Sequence, residues 1–137
     1  MTYLIDTSAY ARIATSPEVA AEVEPLMVEG VVSVCGVLTL EAGLSARTGR
    51  DHARVLRSLE AWPWIEVQPG DWRRASEVQG RLCARGHHRA VGLADLITAA
   101  AAEREGVAVL HYDRDFELIA AVTGQATQWV VAPGSVD

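Results

Sequence analysis

Two acidic residues follow short apolar segments that have the composition of buried strands. Residues 2–5 are Thr-Tyr-Leu-Ile and lead into Asp6, and residues 107–110 are Val-Ala-Val-Leu and come shortly before Asp113. Runs of this length and type are typical of buried strands. Because ligands of open α/β sheets bind at the carboxyl ends of the strands, both carboxylates are well placed for chemistry.

Two further acids lie within apolar segments that have helical spacing. Glu41 stands three residues after Leu38 and three before Leu44, which predicts that it shares their helix face. Asp95 lies in an Ala- and Leu-rich segment in which Thr98 is the only other side chain able to form hydrogen bonds. Both acids are therefore predicted to lie on helix faces that must cover the sheet.

Isolated carboxylates on apolar surfaces are costly unless they have a partner. Four of them, two at strand ends and two on covering helices, indicate a shared pocket. Carboxylates in one pocket repel each other and rise in pKa unless a cation holds them. Ligand sets made of oxygen alone select a hard cation, Mg²⁺ or Mn²⁺. Such an ion activates water and neutralises charge on phosphate, so the pattern favours phosphodiester hydrolysis.

Each acid also has a simpler explanation. Asp6 would cap the following helix, and Asp95 near a helix start would complement the helix dipole. Glu41 would pair with an arginine from another element. Asp115, two residues after Asp113, would cap the next helix or support the site. The set of acids is therefore far more specific than any single member.

The elements that position these acids alternate between strands and helices. Five short strands are predicted at residues 2–5, 31–34, 64–67, 107–110 and 128–131. Helices are predicted at residues 8–14, 17–29, 36–47, 51–61, 72–85 (with Asp71 as N-cap), 93–105 and 116–122. Strands separated by helices imply an α/β fold, a three-layer α/β/α sandwich with a central, mostly parallel, five-stranded sheet.

Length and charge limit the classes of function. The 137 residues suit one domain, residues 1–137, and no apolar run is long enough to span a bilayer, so a cytoplasmic protein without a membrane partner is predicted. The net charge of −6 argues against broad electrostatic wrapping of nucleic acid but leaves local charge open. All 12 basic residues are arginines, and the lack of lysine excludes mechanisms that need one, including that of a phospho-acceptor receiver domain.

The segments that contain the acids resemble the successive motifs of PIN-domain ribonucleases, most closely the VapC toxins of bacterial toxin–antitoxin pairs. These segments are Ile5-Asp6-Thr7-Ser8-Ala9, Leu40-Glu41-Ala42-Gly43, Leu93-Ala94-Asp95-Leu96-Ile97-Thr98-Ala99-Ala100 and Asp113-Arg114-Asp115-Phe116. They occur in the family's order at about its spacing, and the resemblance covers essentially the whole chain. It implies a PIN fold and metal-dependent endonucleolytic cleavage of RNA, with structured RNA such as tRNA or rRNA as substrate.

The resemblance also implies roles for individual residues. The catalytic acids would be Asp6, Glu41, Asp95 and Asp113, and the ligands of Mg²⁺ (or Mn²⁺) would be Asp6, Asp95 and Asp113. Asp115 would be an accessory acid, and the hydroxyl of Thr7 or Ser8 would orient the first acid or a metal-bound water. Relatives often carry Thr shortly before the final acids, where this chain has His111-Tyr112. How Asp113 is positioned is therefore left open.

The resemblance further implies partners. A homodimer is expected, inhibited by a VapB antitoxin whose C-terminal segment wraps the toxin and sends an arginine toward the acidic pocket. Such a partner is physically sensible because an acidic pocket attracts a guanidinium. The alternative is a non-catalytic PIN-like module that binds RNA or protein. Its expected sign is a missing acid, and all four acids are present.

Several basic and aromatic residues are candidates for RNA contact. Predicted contacts lie on a helix and loop that lead into the Asp95 segment, namely Arg81, Arg85, His88 and Arg89. A second group shares one helix face and is interpreted as a solvated surface, namely Arg50, Arg54 and Arg57. An exposed tryptophan would stack on an unpaired base, but core or dimer packing is favoured for Trp62, Trp64 and Trp72.

Overall fold

The structure is a computed structural model that describes residues 1–137. Its strands are β1 (Tyr3–Ile5), β2 (Val32–Ser33), β3 (Ala108–His111) and β4 (Thr127–Trp129). Its helices are α1 (Thr7–Tyr10), α2 (Pro17–Glu29), α3 (Gly36–Gly43), α4 (Gly49–Leu59), α5 (Pro69–Ala84), α6 (Leu93–Glu105) and α7 (Asp115–Thr123). None of the helices combines the length and the apolar character needed to cross a bilayer.

The four strands form one parallel sheet in the order β2-β1-β3-β4. The central strands β1 and β3 run side by side, with Leu4 opposite Val109 and Ile5 opposite Leu110. Parallel neighbours must be joined by crossovers, and here every crossover is helical. The carboxyl ends of β1 and β3 therefore open next to each other at one edge of the sheet.

Side chains of the central strands alternate between two cores. Leu4 and Val109 pack with α5, α6 and α7 on one face, where Phe116 is fully buried. Ile5 and Leu110 pack with α1, α2 and α3 on the other face. Helices cover both faces of the sheet, which confirms the predicted α/β/α sandwich.

The sheet has four strands, so the predicted fifth strand at residues 64–67 is wrong. Only a single bridge joins Trp64 to Val34, with hydrogen bonds from Val34 N–H to Pro63 O and from Ile65 N–H to Val34 O, each 2.9 Å long. Pro63 lacks an amide donor, and Pro69 starts α5 shortly afterwards. On the other side of the bridge, α3 begins at Gly36, two residues after Val34, so the neighbouring segment leaves the sheet and the ladder cannot extend.

Asp71 stabilises the start of α5 but is not its N-cap. Gln68 holds that position, and Asp71 closes a capping box from the third helical residue by accepting the Gln68 N–H at 2.8 Å. Arg104 of α6 donates to both carboxylate oxygens of Asp71, at 2.9 and 3.2 Å. Burial opposes ionisation of Asp71, but these hydrogen bonds outweigh it and hold the pKa of Asp71 below its usual value. The pair fixes α5 against α6, the helix that carries Asp95.

Candidate active site

The carboxyl ends of the two central strands bring the predicted acids together. β1 ends at Ile5 and β3 at His111, and the N–H of Asp6 donates to the carbonyl of Leu110 at 2.9 Å. Asp6 therefore leaves the sheet beside the segment that carries Asp113.

Three carboxylates lie close together at this edge. Asp95, Asp113 and Asp115 each place an oxygen within 4.8 Å of the others. Asp95 lies in the first turn of α6 and Asp115 is the first residue of α7, so two helix N-termini meet here. Asp113 Oδ1 accepts the N–H of Asp115 at 2.9 Å, and Asp115 Oδ2 accepts the N–H of Gly92 at 3.1 Å. The accessory acid of the sequence prediction is thus one of the three converging carboxylates.

Asp6 is only 4% exposed and acts electrostatically on this cluster. Its Oδ2 accepts hydrogen bonds from the Ser8 N–H at 3.0 Å and the Ser8 hydroxyl at 2.6 Å, so Asp6 is also the N-cap of α1. The Ser8 hydroxyl oxygen accepts the N–H of Tyr112 at 2.9 Å. Ser8 thereby ties the end of β1 to the end of β3, and the two interpretations of Asp6 are compatible.

Glu41 reaches the site from α3. Its Oε1 accepts a hydrogen bond from the Thr7 hydroxyl at 2.7 Å, so Thr7 contacts Glu41 rather than Asp6. The predicted helix face is only half right, because Leu38 is buried whereas Leu44 is 86% exposed. Glu41 therefore lies at the border between the core and a surface groove.

Burial and like charge raise the pKa of two of the acids. Burial, a hydrogen-bonding contact with Asp115 and the charges of Asp6 and Asp113 raise the pKa of Asp95 to about 9. Burial is also the main reason why the pKa of Asp6 is raised, although hydrogen bonds from Ser8 oppose it. Metal binding requires deprotonated carboxylates, and a bound cation favours the charged form that burial and the neighbouring acids disfavour.

The donor set fits a hard divalent cation. The three converging groups are all carboxylates, with no imidazole or thiolate among them. Magnesium and manganese prefer such oxygen ligands. A cation would also relieve the repulsion that keeps a proton on Asp95.

His111 is fully buried at the end of β3 and positions Asp113. Its Nδ1 accepts the N–H of Asp113 at 3.1 Å, so the neutral ring carries its proton on Nε2. The ring packs between Phe116 and Trp129, with centroid distances of 4.9 and 5.0 Å. Burial lowers the pKa of His111 to about 4. The structure thus answers how Asp113 is held, which the sequence left open.

Replacing His111 with leucine should weaken divalent-ion binding by about 10- to 100-fold, as loss of the groups that orient metal ligands typically does. Leucine fills the buried space but removes the acceptor of the Asp113 N–H. Asparagine can keep an acceptor near the position of Nδ1 and should retain most of the affinity. Isothermal titration with Mn²⁺ measures the effect, and equal affinities in all three proteins would show that the ring only fills space.

The predicted RNA-contacting residues lie around the end of α5 and the loop after it. Arg81 donates to the carbonyl oxygen of Val122 at 3.0 Å, near the end of α7 that is far from the acids. Arg85 and Arg89 are exposed. His88 is half-buried, and its Nδ1 has no hydrogen-bond partner. RNA contact by these residues stays a prediction.

The three tryptophans lie outside the core. Trp62 is half-buried and packs edge-on against Tyr10, with ring centroids 5.9 Å apart. Trp64 and Trp72 are 49% and 61% exposed. Core packing is therefore wrong for these two, whereas dimer or RNA contact stays open to test.

An apolar groove of about 580 Å³ extends to the acidic site. Thr7 and Glu41 line it together with residues of α1, α2 and the α3–α4 region. Its apolar lining includes Tyr10, Ile13, Met27, Val55 and Trp62. A ligand that fills the groove would therefore reach the carboxylate of Glu41.

Comparison with known proteins gives full-length relatives. Residues 3–122 match the PIN domain family. Ribonuclease VapC21 of Mycobacterium tuberculosis is 47% identical over 135 residues, which cover 97% of this chain and 96% of the relative. Ribonuclease VapC51 of the same organism is 44% identical over 135 residues, which cover 98% of this chain and 97% of the relative.

The fold is similar to the folds of solved VapBC structures. One is the DNA-bound VapBC of Salmonella typhimurium, with a TM-score of 0.75 and 17% identity. The match covers 96% of this chain and 99% of that chain. At this identity the likeness concerns the fold.

Proposed function

The chain belongs to the PIN domain family and, within it, to the VapC ribonucleases, and from this we propose that it is a Mg²⁺-dependent endoribonuclease, the toxin of a toxin–antitoxin pair. The observation that carries the proposal is the convergence of Asp95, Asp113 and Asp115 beside the buried Asp6. Residues 1–137 would act as one domain, in the cytoplasm where cellular RNA is found.

The converging acids supply the proposed metal ligands. Asp95 and Asp113 of this cluster, together with the buried Asp6 whose charge acts on Asp95, would hold Mg²⁺, and Mn²⁺ suits the same oxygen donors. When bound, the divalent ion neutralises charge on the scissile phosphate and lowers the pKa of the attacking water. Asp115 supports the site through its contacts with Asp95 and with the Gly92 N–H.

The two hydroxyls after Asp6 have separate positioning roles in this proposal. Ser8 holds Asp6 in one orientation and links it to the end of β3. Thr7 holds Glu41, which fixes the α3 side of the site. Preorganised carboxylates need little rearrangement when substrate arrives, which is where much of the rate gain of an enzyme site arises.

Incubation of purified protein with total RNA tests the proposed activity. We expect fragments with Mg²⁺ and none with excess EDTA. The products should lack 2′,3′-cyclic phosphate, because water rather than the ribose hydroxyl attacks. Cleavage in EDTA, or cyclic phosphate ends, would contradict the proposal, and binding without cleavage would favour a non-catalytic module. Sequencing of the cut sites tests whether tRNA or rRNA is the substrate.

A VapB-like antitoxin is the proposed partner. The apolar groove that ends at Thr7 and Glu41 suits an apolar segment that carries an arginine toward the acids. The relationship to VapC proteins and the fold shared with a VapBC complex support this partner. Co-expression with the adjacent small gene product should give a complex that no longer cuts RNA.

We also propose a homodimer. Leu40 and Leu44 lie four residues apart along α3 and its C-cap and are 77% and 86% exposed. Exposed apolar side chains of this size on one face are typical of subunit contacts. Light scattering should give the mass of a dimer, and substitution of both leucines with glutamate should give that of a monomer.

A further inference from the structure

A second groove on the protein is lined only by polar and charged residues. It has a volume of about 570 Å³ and lies on α4 and the turn before it. Its lining residues are Arg47, Thr48, Arg50, Asp51, Arg54 and Arg57. Four arginines and one carboxylate give this groove a net charge of +3, on a chain whose net charge is −6.

Two arginines outside this groove are paired with specific acids. Arg74 donates to Glu103 at 2.7 Å and to Glu77 at 3.0 Å. Arg104 forms the ion pair with Asp71 described above. The positive charges of Arg74 and Arg104 are therefore neutralised by nearby acids.

The arginines of the α4 groove lack that compensation. Arg54 pairs with Asp51, yet its side chain stays 76% exposed. Arg47, Arg50 and Arg57 are exposed, and their guanidinium groups donate no hydrogen bond to another residue. The positive charge of these exposed side chains is therefore available to an anionic ligand.

We propose that this groove binds the phosphate backbone of the RNA substrate, an inference that rests on the proposed ribonuclease function. Arg50, Arg54 and Arg57 share one helix face and span about 10 Å along α4, at 1.5 Å per residue. Each guanidinium can donate two parallel hydrogen bonds to a phosphate. A negatively charged protein that binds RNA needs such a local basic surface.

The groove borders the acidic site through α4. Val55 and Ser58 line the apolar groove that reaches Glu41, and Arg54 and Arg57 directly precede them in the chain. The two grooves therefore share the wall formed by α4. RNA phosphates on the arginine side of this wall lie next to the path that leads to the carboxylates.

Salt-dependent binding of a fluorescently labelled tRNA in EDTA tests this assignment without cleavage. The test variant is Arg50→Gln/Arg54→Gln/Arg57→Gln. The comparison variant is Arg73→Glu/Gln79→Glu, which makes the same change in net charge at exposed residues of α5 that have no proposed role in RNA binding. Circular dichroism checks that both variants fold.

The α4 variant should lose at least about tenfold in affinity at low salt. Its log–log salt slope should fall by about 2 to 3, since each phosphate contact contributes about 0.7 in single strands and about 0.9 in duplexes. The comparison variant should keep most of the slope. Unchanged tRNA binding by the α4 variant would overturn the inference, and so would an equal loss in the comparison variant. Loss of antitoxin binding alone would also overturn it.

The same preparations separate this inference from the proposed function. If the unaltered protein neither binds nor cuts RNA, the ribonuclease proposal fails. If it cuts RNA and the α4 variant binds RNA equally well, only the assignment of the groove fails.

Discussion

Replacing Asp95 with asparagine is expected to lower the rate of RNA cleavage by roughly 10²- to 10⁴-fold, since a bound metal contributes several kcal/mol of charge stabilisation and each 1.4 kcal/mol or so is tenfold in rate. Asp95 places a carboxylate oxygen close to those of Asp113 and Asp115. The charge of the buried Asp6 also acts on it. Asparagine keeps the shape of the side chain but removes the charge that holds a cation.

The fold should survive this substitution. The pKa of Asp95 is raised because burial and the neighbouring acids disfavour its charge in the folded protein, so a neutral asparagine costs the metal-free fold little. Single-turnover cleavage of labelled RNA measures the rate, and thermal unfolding checks the fold. Glu22→Gln, an exposed acid on α2, is the matched control. An Asp95→Asn protein that cuts RNA as fast as the control would remove Asp95 from the site.

Metal-free protein should become less stable as the pH rises from about 6.5 to about 9. The folded pKa of Asp95 is raised to about 9 from an ordinary value of 3.8. Between these values the folded state binds more protons than the unfolded state, so stability falls with rising pH. The raised pKa of Asp6 acts in the same direction. Below about pH 6.5 the buried His111 acts in the opposite sense, because its pKa is lowered to about 4.

Thermal unfolding in EDTA and in Mg²⁺ measures this linkage. The Tm in EDTA should fall across the window, and Asp95→Asn should show a shallower fall. Mg²⁺ should raise the Tm more at the alkaline end, because the ion binds deprotonated carboxylates. A Tm in EDTA that rises with pH, or an identical fall in Asp95→Asn, would contradict the electrostatic description of the site.

The acids were predictable from the sequence because each one interrupts an apolar segment. A lone carboxylate after a strand, as at Asp6 and Asp113, is a local signal that needs no knowledge of the fold. The sequence predicts Asp115 only as an accessory acid, because its closeness to Asp95 depends on how the starts of α6 and α7 meet. Helical periodicity in the sequence cannot show that the starts of two helices lie close together.

Other features depend on contacts distant in the chain. The role of His111 follows from its burial between Phe116 and Trp129, which no local pattern reveals. The fifth strand is predicted from an apolar run, but its partner segment enters α3 at Gly36, so only one bridge forms. The α4 arginines were interpreted as a solvated face, since helical spacing shows a shared face but not whether acids of other elements pair with it.

We propose that the carboxylates converging beside the ends of β1 and β3 hold a divalent cation that is needed to cut RNA. The most direct measurement is cleavage of labelled RNA by one EDTA-treated sample before and after Mg²⁺ is restored. We predict no cleavage before the ion is added, full activity afterwards, and no recovery in Asp95→Asn under the same treatment. Undiminished cleavage in EDTA, or recovery of the Asp95→Asn protein with Mg²⁺, would contradict the claim.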